Sequence, residues 1–155
     1  MGVSGAGKTA LMAKLAHLSY EKSGNVPVLL RFCGTSRGSN TGLELMRSLC
    51  MQIIFLYQRG KISYSGGLWP SKRLSFDAIP VVFDEMVEYF HYLLAHFVCV
   101  LYIDSLDQLA NDNMAMSHVS FLDGVRPHRD TRIIVSMLPD AVSYTHLTLP
   151  TTKNV

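Results

Sequence analysis

An α/β fold, with a parallel sheet covered by helices on both faces, is predicted by three observations. The chain opens on a glycine-rich segment that runs directly into an amphipathic helical pattern. Residues 97–103 form a continuous apolar run with no alternation, as expected of a strand buried on both sides. Segments of helical period separate the runs of β-formers, which calls for right-handed crossovers in a doubly wound sheet.

Leu11, Leu15 and Leu18 share one face of a helix over 10–20, and Gly24 supplies its stop. Residues 26–32 read as a strand, with Pro27 near the start, where a missing N–H is tolerated. A polar, turn-rich stretch at 34–41 leads to a second helix, which carries Leu45, Met46, Leu49, Cys50, Ile53 and Ile54 at spacings of three and four. Residues 59–75 contain Gly66, Gly67 and Pro70 without periodicity, which predicts a surface loop. A third helix is expected over 76–94, with Ile79, Val82, Phe83, Met86, Phe90 and Leu93 on its apolar face and Pro80 in its first turn. Strands at 97–103 and 131–137 close the recognisable part, and there are no internal repeats.

The 155 residues suffice for about one domain, and 48% hydrophobic against 17% charged side chains describes a chain with a sizeable core. Fourteen basic and twelve acidic residues leave a formal charge of +2, too small to call for nucleic acid or a membrane surface as partner. The longest apolar run is far short of the roughly 20 residues that a membrane-crossing helix needs. No basic, apolar and small-residue series marks a secretion signal, so a cytoplasmic location is expected. Cys33, Cys50 and Cys99 are odd in number, widely spaced and set in apolar sequence, which predicts reduced core thiols. The six histidines show no metal-binding spacing.

The chemistry lies in the opening segment. Gly2-Val3-Ser4-Gly5-Ala6-Gly7-Lys8-Thr9 matches G-x-x-x-x-G-K-[ST] in full, the P-loop, and it stands at the opening of a helix as that motif requires. Triphosphate oxygens need several donors at once, and backbone N–H groups converge only where side chains are absent, hence Gly2, Gly5 and Gly7. The helix that follows adds its first amides and the positive end of its dipole. The candidate nucleotide-binding set is therefore Gly2, Ser4, Gly5, Ala6, Gly7, Lys8, Thr9 and Ala10. Lys8 reaches the β- and γ-phosphates, and the Thr9 hydroxyl is placed to ligate Mg²⁺. A P-loop joins the end of a buried strand to a helix, and only Met1 precedes Gly2, so the first strand is expected to be truncated.

At the end of the 97–103 run stands Asp104-Ser105-Leu106-Asp107-Gln108. A carboxylate just past the C-terminal edge of a strand faces the ligand crevice of an open α/β sheet, which makes Asp104 the candidate second Mg²⁺ contact. Asp107 is the candidate for orienting or deprotonating an attacking water.

An acid followed by a small residue, an apolar residue and another acid resembles the second acidic motif of NACHT domains, among the signal-transducing NTPases with numerous domains. The stretches Gly5-Ala6-Gly7-Lys8-Thr9-Ala10-Leu11, Leu30-Arg31-Phe32-Cys33-Gly34-Thr35-Ser36 and Leu45-Met46-Arg47-Ser48-Leu49-Cys50 are similar to that family too. The resemblance is greatest to the NACHT and WD-repeat proteins and the nephrocystin-3-like proteins, and covers about residues 2–140. It implies that Ser136, in Ser136-Met137-Leu138-Pro139, takes the sensor position near the γ-phosphate. Gln108 stands where many NACHT domains carry a second acid, which implies slow hydrolysis. The winged-helix and repeat domains through which relatives control and read their signal are not in these residues, so protein partners or self-association would run through them in a longer protein. Residues 1–140 thus read as a partial P-loop NTPase domain. Residues 141–155 continue neither its period nor its pattern and read as a non-native ending, with a flexible natural tail as the alternative.

The function expected is a module that binds a nucleoside triphosphate, ATP by the resemblance or GTP, with Mg²⁺, and uses it as a slowly hydrolysing conformational switch. The alternatives are a P-loop kinase-like phosphotransferase and a non-catalytic interaction fragment with exposed sheet edges.

Overall fold

A computed structural model describes residues 7–35, 40–66, 74–109 and 120–137. Gly2, Ser4, Gly5 and Ala6, and the ending at 141–155, lie outside the described residues.

Three parallel strands, β1 (Val28–Phe32), β2 (Val100–Asp104) and β3 (Arg132–Val135), form one sheet in the order β1-β2-β3. In the register, Phe32 lies beside Asp104 and Ile103 beside Val135. Because successive side chains of a strand point to opposite faces, these apolar runs feed two separate cores. Leu29, Leu101, Ile103, Ile133 and Val135 pack on one face, while Val28, Leu30, Val100, Tyr102 and Ile134 pack on the other. A run without polar alternation is what a two-sided burial demands.

The first face is covered by α2 (Gly42–Gln58) and α3 (Phe83–His96), which pack against each other. Leu45, Met46, Leu49, Ile53 and Ile54 of α2 and Met86, Phe90, Leu93 and Leu94 of α3 are all at or below 1% exposure. Thr41 is the N-cap of α2: its backbone is extended and its side-chain oxygen accepts the Glu44 N–H at 3.1 Å. Arg31 ties β1 to this layer, its Nε donating to the Ser48 hydroxyl at 3.0 Å.

The second face is covered by α1 (Lys8–Lys22), which packs over β1 and β2. Here the sequence expectation is corrected. Met12 and Ala16 are buried at 5% each, whereas Leu11 is 59% and Leu15 39% exposed. Met12, Ala16 and Ser19 repeat at four and three residues just as Leu11, Leu15 and Leu18 do, so periodicity alone does not choose between the faces. The small Ala16 admits the sheet closely, and Ser19 Oγ shares a 2.6 Å hydrogen bond with the Tyr102 hydroxyl.

A second correction concerns Pro80. Residues Phe76–Ala78 form a single 3-10 turn, and α3 begins only at Phe83. Ile79 is extended (ψ 118°), because a residue preceding proline is pushed out of the helical region. Pro80 therefore separates two elements and lies outside the first turn of α3. At the far end, Phe97 caps α3 and pairs with Tyr64 as an isolated antiparallel bridge, so the strand starts later than the apolar run. Buried Thr131 anchors that junction, its hydroxyl donating to the Phe97 carbonyl at 3.0 Å and accepting the Cys99 N–H at 3.3 Å. Cys33, Cys50 and Cys99 are free and buried, as their context predicts.

Candidate functional site

Alternation along the strands decides what gathers at the C-terminal edge of the sheet. Asp104 lies two residues past Tyr102 and Ser136 two past Ile134, and both Tyr102 and Ile134 belong to the α1 face. The same period therefore turns Asp104 and Ser136 towards the side on which α1 sits. Thr9 approaches from the first turn of α1. Its hydroxyl donates to Asp104 Oδ2 at 2.6 Å, and the Ser136 hydroxyl donates to Asp104 Oδ1. Asp104 is 1% exposed, so both oxygens of a buried carboxylate are met by hydroxyls from two other elements.

The backbone holds this trio in place. Ser136 N–H bonds to the Ile103 carbonyl at 2.9 Å, and Leu106 N–H bonds to the Ser136 carbonyl at 3.0 Å. The Ser105 N–H donates to Ser136 Oγ at 3.0 Å. Ser105 is the one described non-glycine residue at positive φ (61°), a conformation that costs an L-residue free energy and is held by its surroundings. It bends the chain out of β2 into the 3-10 turn Leu106–Gln108, which fully buried Leu106 anchors.

That turn places Asp107 at the same edge, its carboxylate accepting from the Gln108 side chain at 2.8 Å. Cys33, just past β1, is pushed up to about 12 by burial and, to a smaller degree, by the negative charges of Asp104 and Asp107. Both acids therefore stand near the end of β1. Gly34 permits this closeness: at φ +72°, a Cβ there would come within 2.7 Å of the Gln108 Cβ. Sequence reading did not single out Gly34 or Ser105 for this role. A glycine just past a strand is a visible signal for close backbone approach, whereas nothing in the sequence marks Ser105 as left-handed.

At the start of α1, Gly7 is the N-cap at φ 75°, with no side-chain capping bond and no acid in the first turn. The helical ladder begins with the Leu11 N–H on the Gly7 carbonyl, so the amides of Lys8, Thr9 and Ala10 point beyond the helix end. Thus the structure brings Gly7, Lys8, Thr9, Ala10, Asp104, Asp107 and Ser136 to one edge of the sheet. Among the described residues there is no cluster of three or more His, Cys, Asp or Glu to hold a metal on its own. A hydroxyl and a carboxylate are hard oxygen donors, the kind that Mg²⁺ takes.

No helix among the described residues is long and apolar enough to cross a membrane. No family model matches the chain. No solved structure matches it either. Over 115 residues, 70% of its length, the chain is 33% identical to the human NACHT domain- and WD repeat-containing protein 1. The matched stretch spans 6% of that protein. The similarity points to a NACHT-related family.

Proposed function

We propose that the chain is the nucleotide-binding module of a signal-transducing NTPase, holding a nucleoside triphosphate with Mg²⁺ at the C-terminal edge of its sheet. The observation that carries this reading is the meeting of the Thr9 and Ser136 hydroxyls on the two oxygens of buried Asp104. A full P-loop pattern ends at Thr9, and the acid it meets follows an apolar strand downstream of that pattern.

In this reading the first amides of α1 and the Lys8 ammonium take the phosphates, and Thr9 and Asp104 hold the metal. Bound Mg²⁺ neutralises charge on the phosphate oxygens. Ser136, bonded to Asp104, takes the sensor role near the terminal phosphate that the resemblance to NACHT domains implies, and Asp107 orients water. Adenine is favoured over guanine by the resemblance to NACHT domains, and Gln108 goes with slow hydrolysis. The bound state then favours one of two conformations, read by further domains of a longer cytoplasmic protein.

The test is thermal unfolding of the chain with ATP or GTP, each with and without Mg²⁺, for wild type, Lys8→Ala and Asp104→Asn. Ligand at a hundred times its dissociation constant stabilises the folded state by about 2.7 kcal/mol. Wild type should show a Mg²⁺-dependent shift. Lys8→Ala should lose the shift with either nucleotide, and Asp104→Asn should lose its dependence on Mg²⁺. A wild-type chain whose melting responds to neither triphosphate would refute the reading.

A further inference from the structure

Consecutive residues at the end of β2 face opposite neighbours. The Ile103 carbonyl accepts the Ser136 N–H on the β3 side at 2.9 Å, and the Asp104 carbonyl accepts the Cys33 N–H on the β1 side at 3.0 Å. Ser105 turns back to β3, its N–H donating to Ser136 Oγ at 3.0 Å. On that alternation Leu106 is due to face β1. Instead its N–H also reaches Ser136, at the carbonyl, over 3.0 Å. The left-handed backbone of Ser105, with φ 61° and ψ 49°, makes this turn. Successive amides converge in such a bend, and here both converge on one residue of the neighbouring strand.

Ser136 is thereby held on every side. Its N–H, its carbonyl and its hydroxyl oxygen are bonded to Ile103, Leu106 and Ser105, which leaves the hydroxyl proton for Asp104 Oδ1. The Ser105 hydroxyl takes no part in these bonds. What they require of position 105 is a backbone N–H and a positive φ, which serine supplies at a cost and glycine or asparagine more readily.

We propose that Ser105 is a positioning residue: its left-handed backbone aims the Ser136 hydroxyl at Asp104 and so sets how firmly that acid receives Mg²⁺. The inference rests on the nucleotide-and-Mg²⁺ reading of this edge. Outer-shell groups that hold a ligating carboxylate by hydrogen bonds orient it for the metal. Ser105 acts one step further out, through Ser136 alone. Once its backbone leaves the left-handed region, Ser136 Oγ loses the amide that fixes it, and buried Asp104 keeps only the Thr9 hydroxyl as a firmly placed donor.

The experiment compares wild type with Ser105→Gly and Ser105→Asn, which tolerate the left-handed region, and with Ser105→Val, which does not. Ser105→Ala replaces Ser105→Val should the latter fail to fold. Hydrogen exchange at the amides of residues 105 and 106, followed by NMR in the nucleotide-free chain, should be slow in wild type, Ser105→Gly and Ser105→Asn and fast in Ser105→Val. Mg²⁺ is then titrated in the presence of ATP, and the shift in unfolding temperature gives the half-saturating concentration. Ser105→Val should raise it by about tenfold or more, as when an outer-shell partner is lost, while Ser105→Gly and Ser105→Asn should match wild type. Ser136→Ala should raise it as far, and combining it with Ser105→Val should add nothing, because the two act in series. A residue serving stability alone would lower the unfolding temperature and leave the half-saturating Mg²⁺ unchanged. That outcome overturns the proposal, as do additive effects in the double variant, or Ser105→Gly and Ser105→Asn behaving like Ser105→Val. A wild type that answers to no triphosphate refutes the nucleotide reading and, with it, the Mg²⁺ half of this proposal. The exchange measurement then decides the clamp, which stands if Ser105→Val alone exposes the two amides and falls if it keeps them protected.

Discussion

The α2–α3 face of the sheet is closed by apolar side chains from end to end, whereas the α1 face is thin and finishes in polar groups. On the first, Phe90, Leu93, Phe97 and Ile103 are completely buried within one large cluster. On the second, the buried cluster is Met12, Ala16 and Tyr102, and beyond it come Thr9, Asp104 and Ser136. The helix ends differ in the same sense. Thr41 closes the first turn of α2 with a side-chain oxygen, while Gly7 leaves the first turn of α1 without one. A side-chain cap satisfies a first-turn amide at the start of a helix. One face is therefore closed by apolar packing, and the other is thinner and ends in a polar cluster.

Removing the ring at the centre of the closed face is the most severe test of this division. Phe90→Ala should cost about 3–5 kcal/mol, the range for truncating a buried aromatic ring, measured as a shift in the urea midpoint. On the thin face, Met12→Ala should cost less, about 2 kcal/mol, at the low end for a buried large-to-small change because fewer neighbours surround the cavity. Equal losses at the two positions would break the contrast. Thr41→Ala should cost about 1 kcal/mol through the loss of the α2 cap, and nucleotide response should be unchanged when the loss in stability is allowed for. If Thr41→Ala abolished a nucleotide response that wild type shows, α2 would have to belong to the site.

The strands and their parallel order were legible because a two-sided burial writes itself as an unbroken apolar run, and 97–103 is such a run. The acid at its end could be placed because a carboxylate just past the C-terminal edge of a buried strand faces the ligand crevice of an open α/β sheet; which face it takes follows from the packing of Tyr102 against α1. Thr9 was legible from the motif it ends. What the sequence could not say was that Ser105 adopts a left-handed conformation, since a serine there is fixed by the packing of Leu106 and the bonds to Ser136 and not by its own preference. Nor could it say how close the turn at Gln108 comes to Gly34, because that distance arises between segments far apart in the chain. Pro80 was misplaced for a local reason. Proline suits the first turn of a helix, yet it also forbids the helical region to the residue before it, and at Ile79 the second effect won.

The orientation of α1 is the subtlest of these points, and it yields the smallest expected effect. Leu11, Leu15 and Leu18 are more hydrophobic as a set than Met12, Ala16 and Ser19, so transfer free energy alone would turn the leucines inward. Close approach favours the other face: Ala16 lets the helix axis near the sheet, and Ser19 meets the Tyr102 hydroxyl, a group that would lose a partner if the helix rolled. With Leu11 at 59% exposure, Leu11→Gln should change stability by no more than about 0.5 kcal/mol, as for surface substitutions that touch no special feature. Ser19→Ala should cost more than Leu11→Gln, because it leaves the hydroxyl of Tyr102 with a weaker set of partners. If denaturant unfolding gave the reverse order, with Leu11→Gln losing several times that amount, the leucine face would be the one against the sheet and Thr9 would have to reach Asp104 from a differently rolled helix.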